Sequence, residues 1–155
     1  KKYKKKKYYF LFGWDGNNLM VARKILDVLY FENGKPKFGA PVFEMIKDTV
    51  SKEKKLQTRF LLEYKKSAWV NLNYTLKPSN TEKNSEDIYD KIIFDHLVSQ
   101  VDDEKLKYTL IPDGTYEGFE YKKGKWIYIP KIFKFALKDG EAPRPVPKLN
   151  EDGIK

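Results

Sequence analysis

Short runs of aromatic and β-branched residues, each closed by Gly, Asn, Asp or Pro, recur along this chain. Such punctuation dictates strands joined by turns. Branched and aromatic side chains favour the pleated surface, and the closing residues supply the dihedral angles of tight reversals. Tyr8, Phe10 and Phe12 alternate with Tyr9 and Leu11, and this strand is expected to stop at Gly13-Trp14-Asp15-Gly16-Asn17-Asn18. Residues 23–31 carry Ile25, Leu29 and Phe31 on one face and Leu26, Val28 and Tyr30 on the other. A nearly continuous apolar run reads equally as helix or doubly buried strand. The Asn33-Gly34 pair that follows decides for strand, because it suits the positive φ angles of a two-residue type I′ turn. Lys35-Pro36-Lys37-Phe38 is the expected return strand, confined to an edge or a strand start by Pro36, which has no N–H to donate.

Two further hairpins can be read in register. Leu56, Thr58, Phe60, Leu62 and Tyr64 share one face, as do Ala68, Val70, Leu72 and Tyr74. A three-residue loop at Lys65-Lys66-Ser67 would pair Tyr64 with Ala68, Leu62 with Val70 and Phe60 with Leu72. A two-residue loop would mix the faces, so the first register is preferred. Lys123-Gly124 sits between Phe119-Glu120-Tyr121-Lys122 and Lys125-Trp126-Ile127-Tyr128-Ile129. A two-residue turn there pairs Tyr121 with Trp126 and Phe119 with Tyr128. Residues 91–97, 105–111 and 131–137 are expected as further strands, with turns at Val101-Asp102-Asp103-Glu104 and Asp113-Gly114. Residues 47–55 form a polar connector that could hold a helical turn, and residues 77–87 a polar loop.

The expectation is an all-β domain: an antiparallel meander of hairpins forming a sandwich or open barrel, with at most one or two short helical turns. It divides into a basic terminal run at residues 1–7, a single β-rich domain at 8–137, and an extended tail at 138–155 carrying Pro143, Pro145 and Pro147. With 155 residues, the chain buries about 68–70% of its unfolded surface, enough for a core without covalent staples. No apolar run is long enough for a spanning helix.

Composition removes several chemistries. The chain has no cysteine, which excludes disulfides, thiol catalysis, thiolate zinc and iron–sulfur clusters. Its formal net charge is +9, but without the six lysines of residues 1–7, 25 basic residues face 22 acidic ones. A short terminal run is not the charged stripe of a nucleic-acid interface. Nucleic acid is therefore not the expected partner, and an anionic polymer held by residues 1–7 stays as an alternative.

His96, the only histidine, follows Asp95. An Asp-oriented general base would need a nucleophile, and no Gly-x-Ser-x-Gly elbow is present. A strand-end histidine satisfied by local hydrogen bonds is the preferred reading. The acids of Asp15-Gly16-Asn17-Asn18 and Asp113-Gly114-Thr115-Tyr116-Glu117 read as turn chemistry rather than calcium loops, although a hydrolase using Asp15 and Asp113 is a second alternative. No catalytic residue, metal ligand or cofactor site is assigned. The candidate ligand surface is Trp69, Asn71 and Asn73, with Trp14. In the preferred register, Trp69 points away from Leu62 and Val70 and is flanked by two asparagines, a pattern suited to stacking on a polar ligand or to an inter-sheet contact.

Residues 8–18, 28–43, 91–97 and 112–129, taken in order, resemble a group of uncharacterised, exported proteins typical of Bacteroidetes-type bacteria. The resemblance implies a periplasmic or surface location and transfers no catalytic residue. The function expected is a non-catalytic binding or structural domain of an exported protein, with a protein or glycan as partner.

Overall fold

The computed structural model describes residues 2–3, 6–46, 54–75 and 90–133. The fold is all-β. Strands β1 (Lys2–Tyr3), β2 (Lys6–Asp15), β3 (Val21–Glu32) and β4 (Lys35–Phe38) lie in that order in a five-stranded sheet. Its fifth member, β7 (Phe60–Lys65), pairs antiparallel with the first half of β3, from Val21↔Lys65 to Leu26↔Phe60. The second sheet runs β6 (Lys54–Gln57), β5 (Phe43–Ile46), β11 (Lys125–Ile129), β10 (Leu110–Lys122), β9 (Lys91–Ser99), β8 (Leu72–Thr75). Among the described residues the one helical element is a 3₁₀ turn at Lys107–Thr109.

The sheets face each other across one core. Leu26, Val28 and Phe60 come from the five-stranded sheet; Phe43, Ile92, Phe94, Phe119 and Trp126 come from the six-stranded one. Phe60 packs against Phe94 in a tilted pair at 4.7 Å and meets Phe119 edge-on at 5.2 Å. Ring pairs of this geometry add roughly 0.5–1.5 kcal/mol each to the area they bury.

The two-residue turns form as the sequence indicates. Asn33 and Gly34 hold φ of 51° and 75°, Lys123 and Gly124 φ of 49° and 85°. They set the registers Phe31↔Pro36 and Tyr121↔Trp126.

The Lys65-Lys66-Ser67 hairpin does not form. Ala68 N–H closes a turn on the Lys65 carbonyl at 2.9 Å, but the chain then crosses to the other sheet, where Leu72 pairs with Phe94. The expected face of Phe60, Leu62 and Tyr64 survives, because β3 pairs with it in a register that keeps the same side inward. Val70 is buried against Tyr64 and Ala22 without ladder pairing, so apolar phase alone could not distinguish the two arrangements. The expected strand from Leu56 to Tyr64 is likewise two strands in different sheets, broken at Thr58-Arg59. Arg59 Nε donates to Asp27 Oδ2 at 2.9 Å across that corner. These crossings, and the parallel pairing of β5 with β11, make the topology more than a meander.

Three boundaries also move. β2 continues through Gly13, paired with Ile25, to Asp15. Leu110 to Lys122 is one strand, so Asp113-Gly114 is not a reversal, and of the expected strand at 105–111 only Leu110 and Ile111 are strand, Lys107–Thr109 forming the 3₁₀ turn. Lys131 to Phe133 is not strand, and residues 134–137 lie outside the described residues. So do residues 47–53, the loop at 77–87 and the tail at 138–155.

Candidate functional site

His96 sits on β9 in phase with the buried Ile92 and Phe94, so its side chain shares their strand face. On β10, Glu117 is in phase with Phe119, and Tyr128 of β11 lies opposite Phe119. The core-facing side of the six-stranded sheet therefore ends in a polar margin: His96, Glu117 and Tyr128.

A β-bulge completes it. Pro112 pairs with Leu97 and Tyr116 with Asp95, so Asp113, Gly114 and Thr115 together stand opposite His96. The surplus residues are accommodated by Gly114 at φ 88°, a value glycine adopts without steric cost. Bulges re-aim side chains, and this one brings Asp113 onto the imidazole: His96 Nδ1 lies 2.8 Å from Asp113 Oδ2. Asp113 Oδ1 accepts from the N–H and the hydroxyl of Thr115, each at 2.8 Å. On the other side of the ring, Nε2 lies 3.7 Å from Glu117 Oε1.

The two carboxyls beside one imidazole are tuned in opposite directions. Asp113 is held down to about 2, chiefly by the Thr115 backbone N–H, with the Thr115 hydroxyl and His96 adding to it against the opposing effect of burial. Glu117 is raised, because burial outweighs the hydrogen bond from Tyr128 and the charge of His96; Asp113 and Glu104 push it the same way. Tyr128 is raised in turn, by burial first and then by Glu117.

His96 and Glu117 line two adjoining clefts. One, of about 290 Å³, has Leu61, Leu62, Leu97 and Leu110 as apolar walls and the carboxyls of Glu63 and Glu104 beside that of Glu117. Its one lysine, Lys107, donates to the Glu104 backbone carbonyl at 2.7 Å. The other, of about 690 Å³, is bounded by the Asp113–Thr115 bulge and by Phe133. Among the described residues no three His, Asp or Glu side chains are grouped as a metal ligand set.

The sequence-predicted surface lies elsewhere. Trp69 is 86% exposed, in the connection before β8 rather than in a strand. Asn71 is occupied, its backbone N–H and its Nδ2 donating to Asp95 Oδ2 at 2.8 and 3.2 Å. Asn73 is exposed on β8, opposite Ile93. Trp14, at the end of β2, donates Nε1 to the Tyr64 hydroxyl at 3.1 Å. None of the four lines the His96 clefts, and no ring contact joins Trp14 to Trp69 among the described residues. Asp15 binds the Asn17 N–H at 2.8 Å and lies 3.7 Å from Arg23; Asp113 lines the cleft and Asp15 does not.

Reasoning from sequence missed the Asp113–His96–Glu117 grouping because it placed a reversal at Asp113-Gly114. The available signal was the alternation Glu117, Phe119, Tyr121, which continues a strand upstream of Phe119 with a carboxyl in the core-facing phase. No family model matches the chain, and neither a curated protein nor a solved structure is significantly similar to it.

Proposed function

We propose that this chain is a non-catalytic binding module of an exported protein, and that the leucine-walled cleft beside His96 receives a cationic group carried on an apolar stem. One observation carries the reading. Glu117 is a carboxyl whose ionisation burial opposes, standing at the junction of two clefts with Glu104 lining the same cleft, Glu63 held 3.5 Å from Arg23, and the cleft's lysine, Lys107, donating to a backbone carbonyl. A buried carboxylate is stabilised by an opposite charge nearby, and an alkylammonium or lysine side chain would supply that charge while its methylenes cover the leucines.

The arrangement of His96 supports binding over catalysis. An Asp-oriented base directs its free nitrogen at a nucleophile; here Asp113 takes one ring nitrogen and the other faces Glu117.

The test is titration of the full chain with n-butylammonium and with a lysine-containing peptide, following the His96 ring protons by NMR between pH 5 and 8. The expected result is saturable binding that strengthens as pH rises and Glu117 ionises, and that is lost in Glu117→Gln. Equal binding by wild type and Glu117→Gln, or no perturbation at His96, overturns it.

A further inference from the structure

Three connections meet at one end of the sandwich: β2–β3, β7–β8 and β9–β10. Lys66 N–H donates to the Met20 carbonyl at 2.9 Å, and Lys65 Nζ to Gln100 Oε1 at 2.9 Å. This end displays apolar side chains that a soluble surface ordinarily turns inward. Leu19 is 94% exposed, Trp69 86%, Val101 57% and Met20 56%.

Leu19 is not stranded on a slack loop. Asn18 Oδ1 accepts from the N–H groups of Met20 and Val21, both at 2.8 Å. Lys66 Nζ donates to the carbonyls of Gly16 and Asn18 at 3.1 and 2.7 Å. Asn17 is held at φ 45°, a left-handed conformation that asparagine tolerates. A loop braced at this many points holds its aliphatic side chain out in water, and the hydrophobic cost of that display is recovered when the side chain leaves water.

We propose that this end is a membrane-docking surface, with Leu19, Met20 and Val101 entering the acyl boundary of a bilayer and Trp69 and Lys65 seated at its polar interface. The residue types sort as an interfacial site requires: aliphatic at the tips, with tryptophan and lysine beside them. The groove between Met20 and Val101 is lined by Lys65 and Lys66 and by no carboxyl among the described residues. On the β9–β10 connection three carboxyls, Asp102, Asp103 and Glu104, outnumber Lys105 and Lys107 by one; in the groove itself Lys65 and Lys66 are the charged residues, and there they favour an anionic lipid headgroup. No helix among the described residues is long and apolar enough to span a membrane, so contact through this end is interfacial.

The test is partitioning of the full chain onto vesicles of phosphatidylcholine alone and of phosphatidylcholine with one-fifth phosphatidylglycerol, at 150 and 500 mM salt. Co-sedimentation and quenching of tryptophan emission by brominated acyl chains are the readouts. Wild type should bind both vesicles, more tightly the anionic ones, with quenching that falls in Trp69→Phe. Leu19→Asp should weaken partitioning by about 10-fold while leaving Tm and near-ultraviolet circular dichroism unchanged, since Leu19 packs on almost nothing. Lys65→Gln should weaken binding to the anionic vesicles by about five-fold and to phosphatidylcholine hardly at all. Failure to bind either vesicle overturns the proposal. So does binding that 500 mM salt abolishes and Leu19→Asp leaves intact, which would assign the affinity to the lysines of residues 1–7.

Discussion

The two sheets contribute unequally to the space between them. The six-stranded sheet supplies the four largest fully buried side chains, Trp126, Phe43, Phe94 and Phe119; the five-stranded sheet answers with Leu26 and Val28. The five-stranded sheet adds rings that are less completely buried: Phe60 against Phe94 and Phe119, and Phe10 edge-on to Phe43 and Trp126. The outer faces differ too. Ile132 folds back over Gly118 of the six-stranded sheet, and Phe133 meets Tyr116 edge-on at 5.6 Å. On the five-stranded sheet Tyr9, Leu11, Phe31, Phe38 and Leu61 are exposed. One sheet is packed on both sides near its centre, and the other leaves these apolar side chains of its outer face open to water. Aromatic content therefore says little about where a residue matters.

The sharpest way to break this contrast is to remove one ring from each. Phe119 touches the rings of Phe43, Phe60, Phe94 and Tyr128. Phe119→Ala should cost about 4 kcal/mol, lowering Tm by roughly 10 °C in a domain of this size. Phe31→Ala, on the open face, should change stability by less than about 1 kcal/mol. Comparable losses in urea melts of the two variants would contradict the unequal sheets.

Two strand glycines extend the test. A Cβ at Gly118 would collide with the Ile92 carbonyl oxygen and with Ile132 Cδ1. The first of these is backbone and cannot swing aside, so Gly118→Ala should destabilise by about 3 kcal/mol. A Cβ at Gly13 would meet Ile25 Cβ at 3.6 Å, an ordinary contact. Since glycine weakens a strand interior, Gly13→Ala should be neutral or stabilise by about 0.5 kcal/mol. Melting both variants side by side checks the pair, and a harmless Gly118→Ala would mean that neither the Ile92 carbonyl nor Ile132 closes over this position.

What the sequence made legible follows the range of the interaction that decides each feature. The Asn33-Gly34 and Lys123-Gly124 turns are local, fixed by φ preferences of two residues, and their registers follow directly. The partner of Phe60-Leu61-Leu62-Glu63-Tyr64 is set by packing of Phe60 on Phe94 and Phe119, residues more than thirty positions away. Its alternation fits β3 as well as the segment after Ser67, and nothing local breaks the tie. The site failed for a related reason. Asp113-Gly114 has the composition of a reversal, and only the continuous pairing of β9 with β10 on both sides of it shows a bulge. Trp69, by contrast, is exposed in the connection before β8, outside the strand that reasoning placed it in.

A pH test sharpens the contrast from within the six-stranded sheet, where Asp113 and Glu117 both lie. Asp113 is depressed from 3.8 to about 2, so the native state binds its proton more weakly than the unfolded chain does. That stability is fully present above 3.8 and is lost as pH falls toward 2. Glu117 runs the other way. Its raised value means that ionising it costs stability, a cost absent below 4.5 and complete once pH has risen through the raised value. Asp113→Asn should therefore lose on the order of 1 kcal/mol at pH 7, after allowance for solvent screening, and converge on wild type near pH 2. Glu117→Gln should gain on wild type as pH rises from 4 to 7. Urea melts at these three pH values, read from the buried Trp126, test both signs together. Parallel pH profiles for the two variants would show that the backbone N–H of Thr115 and the burial of Glu117 do not divide the site as the geometry indicates.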